Sequence, residues 1–121
     1  MAWYNPLSWG KKRTEADIIR ARALKNAHDY LASANDVITT IPSNFLTVTA
    51  FLTGLRKAKQ FLDLIGDQKY TSTLTGIIKK VEDLSRKGQS MTYQNILSET
   101  KVIEKELRDL SASIMAEYRT L

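Results

Sequence analysis

Cysteine is missing from the 121 residues, so neither a disulfide nor a thiolate-ligated metal holds this chain together, and its redox compartment is left open. Proline occurs twice and glycine five times, which leaves long stretches without a residue that breaks a helix. The single histidine, His28, has no second ligand at the i, i+4 spacing that a helical metal site needs. Walker and dinucleotide-binding glycine motifs are absent too, and one histidine assembles no Ser-His-Asp set. Paired carboxylates do occur, Glu82 with Asp83 and Glu104 with Glu106, but they stand among lysines and arginines and read as solvated faces. No catalytic residue, metal, cofactor or small-molecule substrate is therefore expected.

Long apolar runs are equally scarce. Met1 to Gly10 holds Pro6 and three aromatics without a continuous apolar core, and its basic cluster follows instead of preceding it, so it does not read as a secretory signal. The longest uncharged run, the 19 residues from Val37 to Leu55, is nominally wide enough for a bilayer. Its middle is Thr39, Thr40, Pro42, Ser43 and Asn44, where a break would leave backbone groups unpaired in lipid, so a soluble turn between two helices is expected there. The expected location is cytoplasmic or virion-associated.

What is present is a helical repeat of apolar residues. From Phe45 to Ile65 a stripe of Val48, Phe51, Leu55, Ala58, Leu62 and Ile65 steps by three and four, widened by Phe45, Leu52 and Phe61. This is the pattern of a helix buried along a seam. Three more stripes supply partners. The first is Leu24, Ala27, Leu31, Ala34, Ile38 and Ile41, with Ala23, Tyr30 and Val37 beside it. The third is Tyr70, Leu74, Ile77, Val81 and Leu84, and the fourth runs Tyr93, Ile96, Thr100, Ile103, Leu107, Leu110 and Ile114 until Glu117 breaks it. Thr14 with Glu15 and Asp17 reads as an N-terminal cap, Pro42 as a stop, Ser43 or Asn44 as the next cap, Gly66 as a left-handed terminus and Gly88 as another stop. Gly54 and Gly76, inside helices, mark close crossings or kinks.

These signals predict an all-α fold, an antiparallel four-helix bundle with coiled-coil-like seams over residues 13–121, with helices at about 14–41, 44–65, 68–87 and 92–120. A chain of this length buries about two-thirds of its unfolded surface, enough for one self-sufficient core. The last helix is the longest, and its end, with Ile114, Met115, Tyr118 and Leu121, is expected to project as a contact surface. Residues 1–12 form a separate aromatic and basic arm in which Trp3, Tyr4, Leu7 and Trp9 are the candidate partner-binding residues. Two readings of the arm stand side by side: a cap folded onto one end of the bundle, or an anchor for a partner protein or a membrane interface.

Eighteen Lys and Arg against thirteen Asp and Glu give a net charge of +5, which favours anionic partners. Lys11, Lys12, Arg13, Arg20, Arg56, Lys57, Lys59, Lys79 and Lys80 are the candidate residues for nucleic acid or another anionic surface. Aromatics interleaved with them in the sequence, as stacking on bases would need, are not found. The cysteine-free helical build with its aromatic and basic tip resembles, in general build alone, small structural or accessory proteins of bacterial viruses, which implies binding and assembly. The expected function is thus a non-enzymatic interaction or assembly protein that oligomerises or docks on a protein partner. Sequence-independent nucleic-acid binding and peripheral membrane attachment through the arm are the alternatives.

Overall fold

The computed structural model describes residues 14–121. They form four α-helices, α1 (Glu15–Ile38), α2 (Val48–Leu64), α3 (Gln68–Lys87) and α4 (Tyr93–Thr120), with single turns of 3₁₀ helix at Phe45–Thr47 and Gly88–Ser90 and no strand among the described residues. The arm and its residues Trp3, Tyr4, Leu7, Trp9, Lys11, Lys12 and Arg13 lie outside the described residues. Each helix packs on two others: α1 on α2 and α4, and α3 on the same two.

The helix starts follow side-chain chemistry. Thr14 Oγ1 accepts from the Asp17 amide at 3.1 Å while the Asp17 carboxylate accepts from the Thr14 amide, a capping box with aspartate in the glutamate position. Asp67 caps α3 by accepting from Lys69 N at 3.1 Å, and Thr92 caps α4 by accepting from Asn95 N at 3.1 Å. Gly66 sits at φ 63°, as a left-handed C-terminal residue must.

The first turn departs from expectation in two ways. α1 ends at Ile38 because Pro42 has no N–H to donate to the Ile38 carbonyl, and the Thr39 and Thr40 hydroxyls donate back to the carbonyls of Asp36 and Val37. Ile41 nevertheless remains fully buried in the turn. Asn44 then opens a 3₁₀ turn without a side-chain cap bond, so α2 begins at Val48 instead of residue 44.

The core runs the length of all four helices: Leu24, Leu31, Phe51, Leu55, Leu62, Leu74, Val81 and Leu107 are fully enclosed. Alanines at 27, 34 and 58 keep helices close, and Gly54 completes that fit, since a Cβ there would lie 3.5 Å from Ala34 Cβ. Gly76 marks no such crossing: a Cβ there would meet nothing within 4 Å. Gly88 is the opposite case, because the Phe45 ring lies where its Cβ would be. Tyr93 stands half-exposed in the first turn of α4.

The expected overhang of α4 is not there. Ile114 is fully buried, Tyr118 and Leu121 pack against the core, and only Met115 of that group remains half-buried away from it. The reason is pairing: α4 with 28 residues lies along α1 with 24, and α1 reaches the same end of the molecule. The length of α3, 20 residues, is not the relevant measure.

Candidate functional site: a polar end and three charged clasps

The seam of α4 continues from Ile114 to Glu117, and the seam of α1 runs back from Leu24 to Arg20, so at one end of the molecule the apolar positions give way to charge. Arg20 Nε donates to Glu117 Oε2, and the Tyr70 hydroxyl donates to Glu117 Oε1 at 2.8 Å. Arg20 Nη2 also lies 3.9 Å from Asp67 Oδ2, an enclosed oxygen that no other group bonds. The cluster therefore joins the start of α1, the turn between α2 and α3, and the end of α4. The hydrogen bond from Arg20 holds the Glu117 carboxyl below the usual carboxylate range, against the opposing effect of burial. The same bond raises the Arg20 guanidinium. Burial, then the bond to Glu117, pushes the Tyr70 phenol up to about 12. A proton-transfer role is not what this produces: at neutral pH Tyr70 stays protonated and Glu117 stays ionised.

Two of the other basic candidates, Arg56 and Lys80, bridge helices. Arg56 Nη2 reaches Glu82 Oε2 at 2.9 Å and ties α2 to α3. Lys80 reaches both oxygens of Glu106 and ties α3 to α4. With Arg20 and Glu117 tying α1 to α4, three of the four helix interfaces carry a charged clasp. Lys59 pairs within α2 with Asp63 at 2.9 Å. Lys79 stands exposed, and Lys57 places its ammonium 5.9 Å from the Tyr30 ring centroid. The fourth interface, α1 with α2, uses aromatics in place of charge: Tyr30 and Phe61 stack with centroids 5.7 Å apart at 21°. An aromatic next to a basic residue thus exists in space, between residues 30 and 57, where the linear order shows none.

Sequence reasoning missed the Glu117, Tyr70 and Asp67 cluster. The available signal was the charged residue interrupting an apolar seam, which in a helix packed on both sides needs a partner. His28 Nδ1 is enclosed without a hydrogen-bond partner and lies 3.6 Å from Asp29 Oδ1. Among the described residues no three His, Asp or Glu side chains converge as a metal site, and no helix is long and apolar enough to cross a membrane.

Besides a groove between α3 and α4 beside Tyr70 and Ser113, two more open on this end among the described residues. One, of about 480 Å³, lies between α1 and α4 and is lined by Ile18, Ala21, Arg22, Lys25, Asn26 and Tyr118. The other, about 450 Å³, is formed by Gln60, Phe61, Asp63 and Leu64 of α2 alone. Compared with known proteins, the chain matches no family model, no curated protein and no solved structure.

Proposed function

We propose that this chain is a non-enzymatic interaction or assembly protein: an antiparallel four-helix bundle with coiled-coil-like seams that docks on a second copy of itself or on another protein. Short turns between helices that each touch two neighbours support the antiparallel arrangement. The aromatic arm and the end of the molecule where it joins α1 are the docking elements.

The observation that carries this reading is that large apolar side chains are left uncovered, Leu46 at the opposite end and Val102 on α4 among them. At the arm-bearing end Ile19 is 53% exposed and Leu64 78% exposed, while Arg20, one of several cations there, is engaged by Glu117. Apolar surface beside internally paired charge favours a protein face over a polyanion. The nucleic-acid reading is weaker for the same reason, since Arg20, Arg56, Lys59 and Lys80 each hold a carboxylate of this chain. The C-terminal turns of α4 contribute little beyond Met115.

Sedimentation equilibrium tests the self-assembly form. Self-association that weakens when Ile19→Lys and Leu64→Lys are introduced together is expected. A monomer at every concentration, unchanged by removal of residues 1–10, overturns it.

A further inference from the structure

We infer that the outer face of α2 pairs with itself: α2 of one molecule packs antiparallel on α2 of a second copy, about residue 55. This rests on the interaction reading above and gives it a partner, a face and a register.

α2 carries two seams. The inner one, from Val48 to Leu62, faces the core. The outer one begins at Leu46, in the 3₁₀ turn that leads into α2, and steps by four and three through Ala50, Thr53, Lys57, Gln60 and Leu64. All six are exposed, Leu46 and Leu64 at 78% each. Lys57 is the single charge among them, in a chain that is 26% charged. Beside this row, positions 19, 23, 26, 30, 33 and 37 of α1 repeat the same spacing and carry no charge. The two rows border the helix interface that is joined by the Tyr30 and Phe61 stack and not by a charged clasp. On the other side of α2, the charges are already matched within the molecule, Arg56 by Glu82 and Lys59 by Asp63.

Charge, shape and area together select a second copy as the occupant. Each molecule carries +5, so two copies repel wherever their basic faces meet, and this face opposes their approach least. A charged partner would find only Lys57 here to select it, and that ammonium lies 5.9 Å from the Tyr30 ring centroid. Antiparallel pairing about residue 55 sets Leu46 against Leu64, Ala50 against Gln60 and Thr53 against Lys57, each twice, as a two-fold interface requires. The short Ala50 leaves room for Gln60. Leu46 meets a hollow of about 450 Å³ that Gln60, Phe61, Asp63 and Leu64 leave open. The two Lys57 side chains fall about one turn apart along the seam instead of opposite each other. From Leu46 to Leu64 the face runs about 27 Å, and with the flank of α1 it is about 20 Å wide, roughly 500 Å² per copy. The pair covers about 1,000 Å², where specific interfaces begin, so the dimer is a reversible one.

The chain has no cysteine, so single introduced cysteines report the register. Leu46→Cys and Leu64→Cys proteins, mixed at a concentration where sedimentation equilibrium shows dimer, should be joined by a short bismaleimide. Either protein alone should be joined far less, because antiparallel pairing holds two copies of position 46 about 27 Å apart. Leu46→Lys should raise the dimer dissociation constant about tenfold or more, as Leu64→Lys does, although the two sites lie at opposite ends of the molecule. Val102→Lys, at an exposed site on α4, should leave it alone. Added salt should tighten the dimer by screening the two net charges. Far-ultraviolet circular dichroism checks that each variant keeps its helices. Cross-linking of each cysteine protein with itself means parallel pairing and overturns the inference. So does a dimer that Ile19→Lys with Leu64→Lys weakens and Leu46→Lys does not, which confines self-association to the arm-bearing end and leaves the interaction reading standing. A monomer at every concentration overturns the self-pairing face too, and leaves docking on another protein as the form of that reading.

Discussion

Glu117 accepts hydrogen bonds from Tyr70 and Arg20 on its two carboxylate oxygens, so one side chain near the end of α4 fastens both α3 and α1. Arg20 and Glu117 are each about 30% exposed, which makes the bond stronger than a surface ion pair and still partly screened. Glu117→Ala should therefore cost about 1–2 kcal/mol in urea unfolding, chiefly because Arg20 and the Tyr70 hydroxyl lose their acceptor. The pair Arg20→Met with Glu117→Leu should recover part of that loss, since both charges of the bond are replaced by apolar groups while Asp67 loses its nearby cation and Tyr70 its acceptor. Additive losses in the double-mutant cycle would mean the two residues do not act together.

The same cluster sets two pH limits of opposite sign. The folded-state pKa of Glu117 is depressed below its ordinary 4.5, so its contribution is present above that value and disappears as pH falls through the lower, folded value. Tyr70 is raised from 10.0 to about 12, so the unfolded chain releases this proton first and stability falls as pH rises between those values. Chemical denaturation at a series of pH values should show the acid slope reduced in Glu117→Gln and the alkaline slope reduced in Tyr70→Phe. Equal slopes in wild type and variants would detach the cluster from both limits.

Two glycines of α3 and its turn should respond in opposite directions to the same substitution. Gly76→Ala adds a methyl group into open space on a helix and should stabilise the fold by roughly 0.5–1 kcal/mol. Gly88→Ala drives its Cβ into the Phe45 ring and should destabilise by about 1–3 kcal/mol. Combining it with Phe45→Ala removes the collision, so the double variant should lose less than the sum of the two. Thermal melts of the four proteins check this, and similar melting temperatures for the two glycine variants would contradict it.

That pair of glycines also marks how far the sequence could be read. The four seams were legible because three-four spacing is a local property: Leu24 to Ile38 or Ile96 to Ile114 declares a buried face whatever lies against it. Caps were legible for the same reason, Thr14 and Thr92 acting on amides three residues away. Which glycine faces a neighbour is not local: the crossing expected at Gly76 is absent, and the close approach is at Gly88, read as a helix stop, once Phe45 is placed. Arg20 and Glu117 are 97 positions apart, and only the helix alignment brings them together. The partners of the basic residues were hidden for a related reason. Runs such as Arg56 to Lys59 read as a surface patch, whereas the carboxylates that meet them, Glu82 and Asp63, lie one helix away or one turn on.

Salt dependence at that patch separates the protein-docking reading from the nucleic-acid one. Arg56, Lys57 and Lys59 are three cations, but Glu82 and Asp63 lie within 2.9 Å of two of them, which leaves one charge uncompensated. A cation released from phosphate contact changes the slope of log affinity against log salt by about 0.9 on duplex DNA. Replacing all three by alanine should therefore lower the slope by about 0.9, as for a single contact, if the carboxylates keep their partners. A fall of about 2.7 would mean that phosphate displaces both carboxylates and that the basic face is a binding surface. Lys57→Ala alone separates the cases further: under internal pairing it should account for nearly the whole change, because its ammonium faces the Tyr30 ring and not a carboxylate. Binding that cannot be detected even at low salt would leave the clasp to Glu82 as the role of Arg56.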